Sequence, residues 1–240
     1  MMKIVILHSG PLAEIIVASS LNNGIKKQAV DSEIYWVVEE ENKYVFQYSK
    51  YVKKVFSFED FIQHDEEYDL LINLWPNEVV TNSKIKEYTG FGFYKEFSQY
   101  EEVLTGNSSF AEMSNFKLYF YLSGLTWKGE GYDIGYYPRT RKKHGRIGMS
   151  AANANLRNYV IDNLELGDKK IWYIPYRKNI FRKMDEINRC EKIITDDLLT
   201  FHLSMDLRKY VYYLETYPHN LKLEMFNNGQ SYPVPYSYLK

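Results

Sequence analysis

The opening stretch MKIVILHSGPLAEIIVASSL, Met2 to Leu21, restricts the fold more than any other part of the chain. Lys3 to Leu7 is an apolar run too short to span a membrane and bounded by turn residues. That suits a strand buried on both faces of a parallel sheet. Ser9, Gly10 and Pro11 break the run, and apolar residues then return at helical spacing at Leu12, Ile15 and Ile16. The chain therefore opens strand, tight turn, helix. In an open α/β sheet, ligands bind in the crevice beyond the carboxyl end of such a strand. Glu14 falls in the first helical turn, facing that crevice. A helix N-terminus stabilises a carboxylate, so Glu14 is expected to stay ionised near neutral pH and to be available as a base. An ordinary first-turn acid complementing the dipole fits the same pattern. His8, Ser9 and Gly10 are placed to meet an acceptor or a phosphate.

Composition narrows the function classes. The 240 residues suffice for one large or two modest domains, and the net charge of -1 supplies no bulk field toward nucleic acid or an anionic membrane. The single cysteine, Cys190, cannot form an internal disulfide, which fits a reducing cytoplasm. No apolar run approaches the ~20 residues of a spanning helix, and the N-terminus lacks a signal-peptide core. The five histidines and one cysteine show no metal-ligand spacing. Neither a P-loop nor a dinucleotide-binding glycine fingerprint occurs.

Along the chain, Asn23-Gly24 reads as the stop of the first helix. Strands are expected at Glu33 to Val38, Val52 to Phe56 and Tyr68 to Leu74, with short helices at Asn42 to Tyr48 and Glu59 to His64. Gly90, Gly92 and the aromatics Phe91, Phe93 and Tyr94 suggest a loop or short strand. A helix follows at Phe110 to Leu122, capped by Gly124. Lys128 to His144 is rich in Gly, Pro and charge and reads as an interdomain linker, its basic run Arg139, Arg141, Lys142 and Lys143 a solvated face. The same grammar then restarts: strands at Arg146 to Ser150, Ile171 to Pro175, Lys192 to Thr195 and Tyr210 to Leu214, with helices at Leu156 to Leu164 and Ile180 to Cys190 and, after Asp196-Asp197, one through His202 to Leu207. The tail from Pro218 shows no period and is expected to pack along the surface or return to the first domain. This gives an α/β protein of two Rossmann-like domains, residues 1–141 and 142–240, facing across a cleft.

Several of these stretches resemble glycosyltransferase family 9, the ADP-heptose:lipopolysaccharide heptosyltransferases. KIVILHSGPLAEIIVASSL is similar to that family's opening strand, small-residue turn and Leu-Gly-Asp triplet, which here reads Leu12-Ala13-Glu14. YWVVEE at Tyr35 to Glu40 and YDLLINLW at Tyr68 to Trp75 look like further strands of the family. IITDDLLTFHLSMDL at Ile193 to Leu207 resembles its strand followed by Asp-Thr-Gly and a helical His, with Asp197 and His202 at the matching spacing. The resemblance implies the GT-B fold, with a shortened second domain. It also implies inverting, metal-independent transfer of a sugar from a nucleotide-sugar donor to a glycan or glycolipid acceptor of the surface-polysaccharide or lipopolysaccharide type. No cofactor is implied, the nucleotide sugar being a substrate.

By the same resemblance Glu14 stands where the family has its catalytic Asp, one methylene longer. Asp197 and His202 line the donor pocket, with the backbone N–H groups of Leu198 and Leu199 facing the donor pyrophosphate at a helix N-terminus. Leu199 replaces the family's Gly at that turn. Ser150 and Asn153, after the first strand of the second domain, are expected donor contacts, and Arg177 and Lys178 substitute for a lost cation. His8, Ser9 and Gly10 form the acceptor side. Nucleic acid is not the expected partner, while a peripheral membrane contact stays open. Two alternatives remain: a degenerate, non-catalytic binding protein of the same fold, or a transferase acting on a nucleobase or a protein side chain.

Overall fold

A computed structural model of the chain describes residues 1–75, 84–91, 114–151, 154–164, 169–216 and 228–234. The chain divides into two compact units, Met1–Gly135 and Tyr136–Lys240. Each is built on a five-stranded, wholly parallel sheet.

In the first unit β1 (Lys3–Leu7), β2 (Glu33–Val37), β3 (Val52–Phe56), β4 (Tyr68–Asn73) and β5 (Ile85–Gly90) lie in the order β3-β2-β1-β4-β5. The order reverses at β1, so the carboxyl ends of β1 and β4 flank the switch point where a parallel sheet opens a crevice. Both faces of β1 are buried. Val5 and Leu7 join Tyr35, Val37, Phe56, Phe61 and Leu71 in one core cluster, and Ile4 and Ile6 are buried on the other face. β5 was not legible as a strand. It ends at Gly90, whose φ of +97° is open to glycine and strained for other residues.

The first helix departs from its expected form. Instead of stopping at Asn23-Gly24, α1 (Leu12–Ala18) passes through a bend at Ser19 into α2 (Ser20–Gln28). The Ser19 and Ser20 hydroxyls donate back to the Ile16 and Val17 carbonyls at 2.6 and 2.7 Å, competition with the backbone that bends helices. Gly24 is no stop. A Cβ there would meet the Phe120 ring at 2.5 Å, so glycine is what lets α4 (Asn115–Leu122) approach α2. The segment expected as a short helix at Asn42 is a 3₁₀ stretch, Glu40–Phe46, and α3 is Phe58–Gln63. Gly92, Phe93, Tyr94 and the start of the helix expected from Phe110 lie outside the described residues.

In the second unit β6 (Arg146–Ser150), β7 (Lys170–Tyr173), β8 (Lys192–Thr195), β9 (Tyr210–Glu215) and β10 (Gly229–Pro233) take the order β10-β9-β8-β6-β7. The helices are α5 (Ala154–Asn163), α6 (Ile180–Asn188) and α7 (Leu198–Asp206). Among the described residues, two helices and one strand separate Ser150 from Lys192, the short arrangement expected. In the tail, residues 229–233 pair in parallel with β9 as an edge strand of the second sheet, and most of the rest lies outside the described residues. The pairing partner of β10 decided this, not its own period, which Gly229 and Pro233 obscure.

The boundary between the two units falls within Lys128 to His144, the stretch expected as the interdomain linker, and its backbone is pinned on both sides. Glu130, Asp133 and Ile134 are buried on the first unit, and Asp133 accepts from Asn22 Nδ2 at 3.0 Å and Ser49 Oγ at 2.5 Å. Beyond Gly135 the strand of chain is tied to α6. Tyr136 Oη and the Arg139 N–H donate to the Asp185 carboxylate, and Asn188 Nδ2 donates to the Thr140 carbonyl. The side chains of Arg139, Arg141, Lys142 and Lys143 are exposed, so the basic run is a solvated face on a pinned backbone.

Candidate functional site

At the switch point of the first sheet the chain leaves β1 as His8-Ser9-Gly10-Pro11. His8 is fully buried between aromatic rings, 5.3 Å from the Trp75 ring centroid and 5.4 Å edge-on from Tyr119. Its Nδ1 accepts from the Gly10 N–H at 3.1 Å, closing the turn, and its Nε2 lies 3.1 Å from Tyr119 Oη. Burial holds the imidazole near a pKa of about 3, so it is neutral at any physiological pH. Gly10 is fixed by its neighbour: a Cβ would sit 2.3 Å from the Trp75 ring. Ser9 Oγ is buried and has no hydrogen-bond partner among the described residues.

Glu14 is partly buried in the first turn of α1 and accepts from Tyr119 Oη at 3.0 Å. Two contributions beyond the helix N-terminus act on it. Burial pushes the Glu14 carboxyl above its usual range, and the Tyr119 hydroxyl pulls against that push without cancelling it. The result is a carboxylate whose proton affinity lies closer to neutrality, the property a general base needs. The structure thus brings His8, Gly10 and Glu14 together and adds Tyr119 and Trp75. Tyr119 carried no local signal, its carboxylate partner lying 105 residues earlier. Trp75 read only as the end of a strand.

In the second unit the corresponding position is the carboxyl end of β6 and β8. Ser150 Oγ lies 3.3 Å from Thr200 Oγ1, and Thr195 Oγ1 donates to the Ser150 carbonyl. Asp197 caps α7, accepting from the Leu199 N–H at 3.2 Å and the Thr200 N–H at 3.1 Å. The Leu199 N–H is therefore occupied by the protein's own carboxylate and does not face a pyrophosphate, contrary to expectation. The Leu198 N–H takes no part in that cap. Lys183, on α6, donates to Asp197 Oδ2 at 2.7 Å. Burial pushes the Asp197 carboxyl up, but the Lys183 charge and the bonds from Lys183 and Thr200 outweigh it and hold the group below the usual carboxylate range.

His202 is one turn into α7, buried edge-on against Phe201 and held near a pKa of about 3 by that burial, with the Asp197 charge opposing. It packs as a neutral ring. Arg177 and Lys178 are exposed on the loop that follows β7, just before Asn179 caps α6. Asn153 lies outside the described residues. Lys183 was missed, although a signal existed. It interrupts the buried stripe Ile180, Met184, Ile187 of an amphipathic helix, and a lysine there needs a partner.

No family model and no curated protein sequence matches this chain. Solved structures do. A glycosyltransferase family 9 protein from Veillonella parvula superposes with a TM-score of 0.63 at 13% identity, over 99% of this chain and 87% of that one. The E. coli ADP-heptose lipopolysaccharide heptosyltransferase II gives 0.63 at 11% identity, over 97% and 90%. The fold is that of glycosyltransferase family 9. E. coli heptosyltransferase WaaC, solved with ADP-2-deoxy-2-fluoro heptose, agrees at a TM-score of 0.61 and 10% identity, over 98% of this chain and 94% of that one. The GT-B assignment made from the sequence therefore stands at the level of fold. Among the described residues no helix is long and apolar enough to cross a membrane.

Proposed function

We propose that this chain is a glycosyltransferase that moves a sugar from a nucleotide-sugar donor to a hydroxyl of a glycan or glycolipid acceptor, with inversion and without a metal or other cofactor. The observation that carries the reading is Glu14: a partly buried carboxylate at the switch point of a family 9 fold, its proton affinity raised by burial. In the proposed step Glu14 takes the acceptor proton, and the acceptor oxygen bonds to the anomeric carbon. The bond from that carbon to the diphosphate breaks, its electron pair leaving with the nucleoside diphosphate. Ser150, the Leu198 N–H, Arg177 and Lys178 are the donor-side groups of the second unit, the last two supplying charge to the leaving group. The donor class is supported by the E. coli relative solved with an ADP-linked heptose analogue, and the glycolipid acceptor by the relative named for lipopolysaccharide. A cytoplasmic site of action belongs to the same proposal.

The test is a thermal-shift panel of ADP-, GDP- and UDP-sugars, followed by an assay for released nucleoside diphosphate with and without EDTA. Glu14→Gln is expected to abolish transfer while donor binding persists. Full activity in that variant refutes the role of Glu14. A second, non-catalytic reading is favoured by one observation, the Leu199 N–H spent on Asp197. It predicts no thermal shift with any nucleotide sugar.

A further inference from the structure

One backbone bond fixes the direction of every proton from Gly10 to Glu14. The Gly10 N–H donates to His8 Nδ1, so that nitrogen holds a lone pair. The ring is neutral, and its one proton is therefore on Nε2, which faces Tyr119 Oη. An Nε2–H can only donate, so Oη accepts there and turns its own proton to Glu14 Oε2. The chain reads Gly10 N–H to His8, His8 N–H to Tyr119, Tyr119 O–H to Glu14, with donors all pointing one way.

We propose that Tyr119 and His8 are positioning residues for Glu14. The locked tautomer of His8 orients the Tyr119 hydroxyl, and that hydroxyl aims the carboxylate, keeping Oε2 occupied and leaving Oε1 for the acceptor proton. This deepens the reading of Glu14 as the base and rests on it. The alternative, a tyrosine that merely packs, leaves the hydroxyl free to point either way. Here the imidazole removes that freedom, because a hydroxyl pointed at an N–H would set two protons against each other. Three aromatic neighbours, His8, Trp75 and Tyr119, are in ring contact around the turn. Among the described residues, the titratable groups facing Glu14 are Tyr119 from α4 and, through it, His8 from the end of β1. The Ser19 and Ser20 hydroxyls, at the bend between α1 and α2, donate to the α1 carbonyls of Ile16 and Val17. Removing the Tyr119 hydroxyl takes away a bond that favours the charged carboxylate and leaves the desolvation in place.

The experiment is a pH titration of Glu14 by carbon NMR on protein labelled at glutamate carboxyls, with Glu14→Gln identifying the signal, beside the pH profile of kcat/KM. In Tyr119→Phe the Glu14 titration and the acid limb of the profile are both expected to move up by about half a pH unit or more, a roughly threefold loss of rate on the acid side that recovers at higher pH. His8→Asn keeps an acceptor for the Gly10 N–H but loses the donor to Tyr119, and should shift both in the same direction. His8→Gln can return an amide N–H near the Nε2 position and should restore part of the wild-type titration. An unmoved Glu14 titration in both Tyr119→Phe and His8→Asn overturns the proposal. The NMR arm needs no substrate, so it separates failure of the relay from failure of the transferase reading.

Discussion

Lys183 and Asp197 stand 2.7 Å apart across two helices, the lysine side chain almost wholly buried and the aspartate side chain 41% exposed. The aspartate has three further donors at the start of α7 in the Leu199 N–H, the Thr200 N–H and the Thr200 hydroxyl, whereas the ammonium depends on Asp197. The two halves of the pair are therefore unequal. Lys183→Met leaves a half-exposed carboxylate that keeps its capping donors and is expected to cost about 1–2 kcal/mol, discounted for the exposure of Asp197. Asp197→Asn strands a buried ammonium and should cost more, about 2–4 kcal/mol. Urea denaturation of both variants and of the double variant checks this. The double variant should be more stable than Asp197→Asn alone.

Gly90 and Gly10 predict different failures. At Gly90 the backbone is left-handed and a Cβ would lie 2.0 Å from the Asn73 carbonyl oxygen, a fixed backbone atom in the neighbouring strand. Gly90→Ala is expected to lose about 3 kcal/mol or more of folding stability. At Gly10 the obstacle is the Trp75 side chain and not a backbone atom. Gly10→Ala should cost less stability but more function, because it disturbs the turn whose N–H sets the His8 tautomer. Paired denaturation and transfer assays on the two variants distinguish these outcomes.

The sequence exposed the parts of the molecule whose cause is local. β1, β2, β3, β4, β6, β8 and β9 are apolar runs between turn residues, and the Gly124 cap follows from residue chemistry at a helix end. What stayed hidden depends on contacts distant in the chain. Gly24 reads as a stop until Phe120 is packed against it, and β10 becomes a strand only beside β9. Glu14 was legible as a candidate base from its place in the first helical turn. Its environment is set by burial and by Tyr119, neither of which a window around residue 14 contains.

Acid should destabilise this protein well before carboxylates titrate in bulk. His8 and His202 are each held from 6.5 down to about 3 by burial. Between those values the unfolded chain binds protons that the folded chain refuses, so stability falls as pH drops below 6.5, by at most about 1.4 kcal/mol per pH unit for each ring. The raised Glu14 and Asp133 carboxyls work in the opposite sense above the usual carboxylate range, since there the folded chain binds the extra protons. Urea midpoints at pH 7, 6 and 5 measure the balance. His202→Asn should flatten the fall even though its stability at pH 7 is lower. An identical slope in wild type and variant would show that His202 is not held neutral.

Asn22 joins two elements of the first unit that the sequence had assigned to a helix stop and a linker. It is fully buried, accepts from Trp36 Nε1 at 3.0 Å and donates to Asp133 Oδ2. Ser19 Oγ accepts the Asp133 N–H at 3.0 Å from the same helical bend. Asn22→Ala strands the Trp36 N–H and strips one donor from a carboxylate whose burial already pushes its proton affinity up. The expected loss is about 2–4 kcal/mol, the cost of unsatisfied buried groups more than of the bonds themselves. Asp133→Asn keeps one acceptor oxygen and removes a poorly solvated charge, so it should cost well under half as much. If chemical denaturation shows the two variants equally destabilised, Asn22 acts through packing and not through the two bonds that hold residues 128–135 against the first sheet.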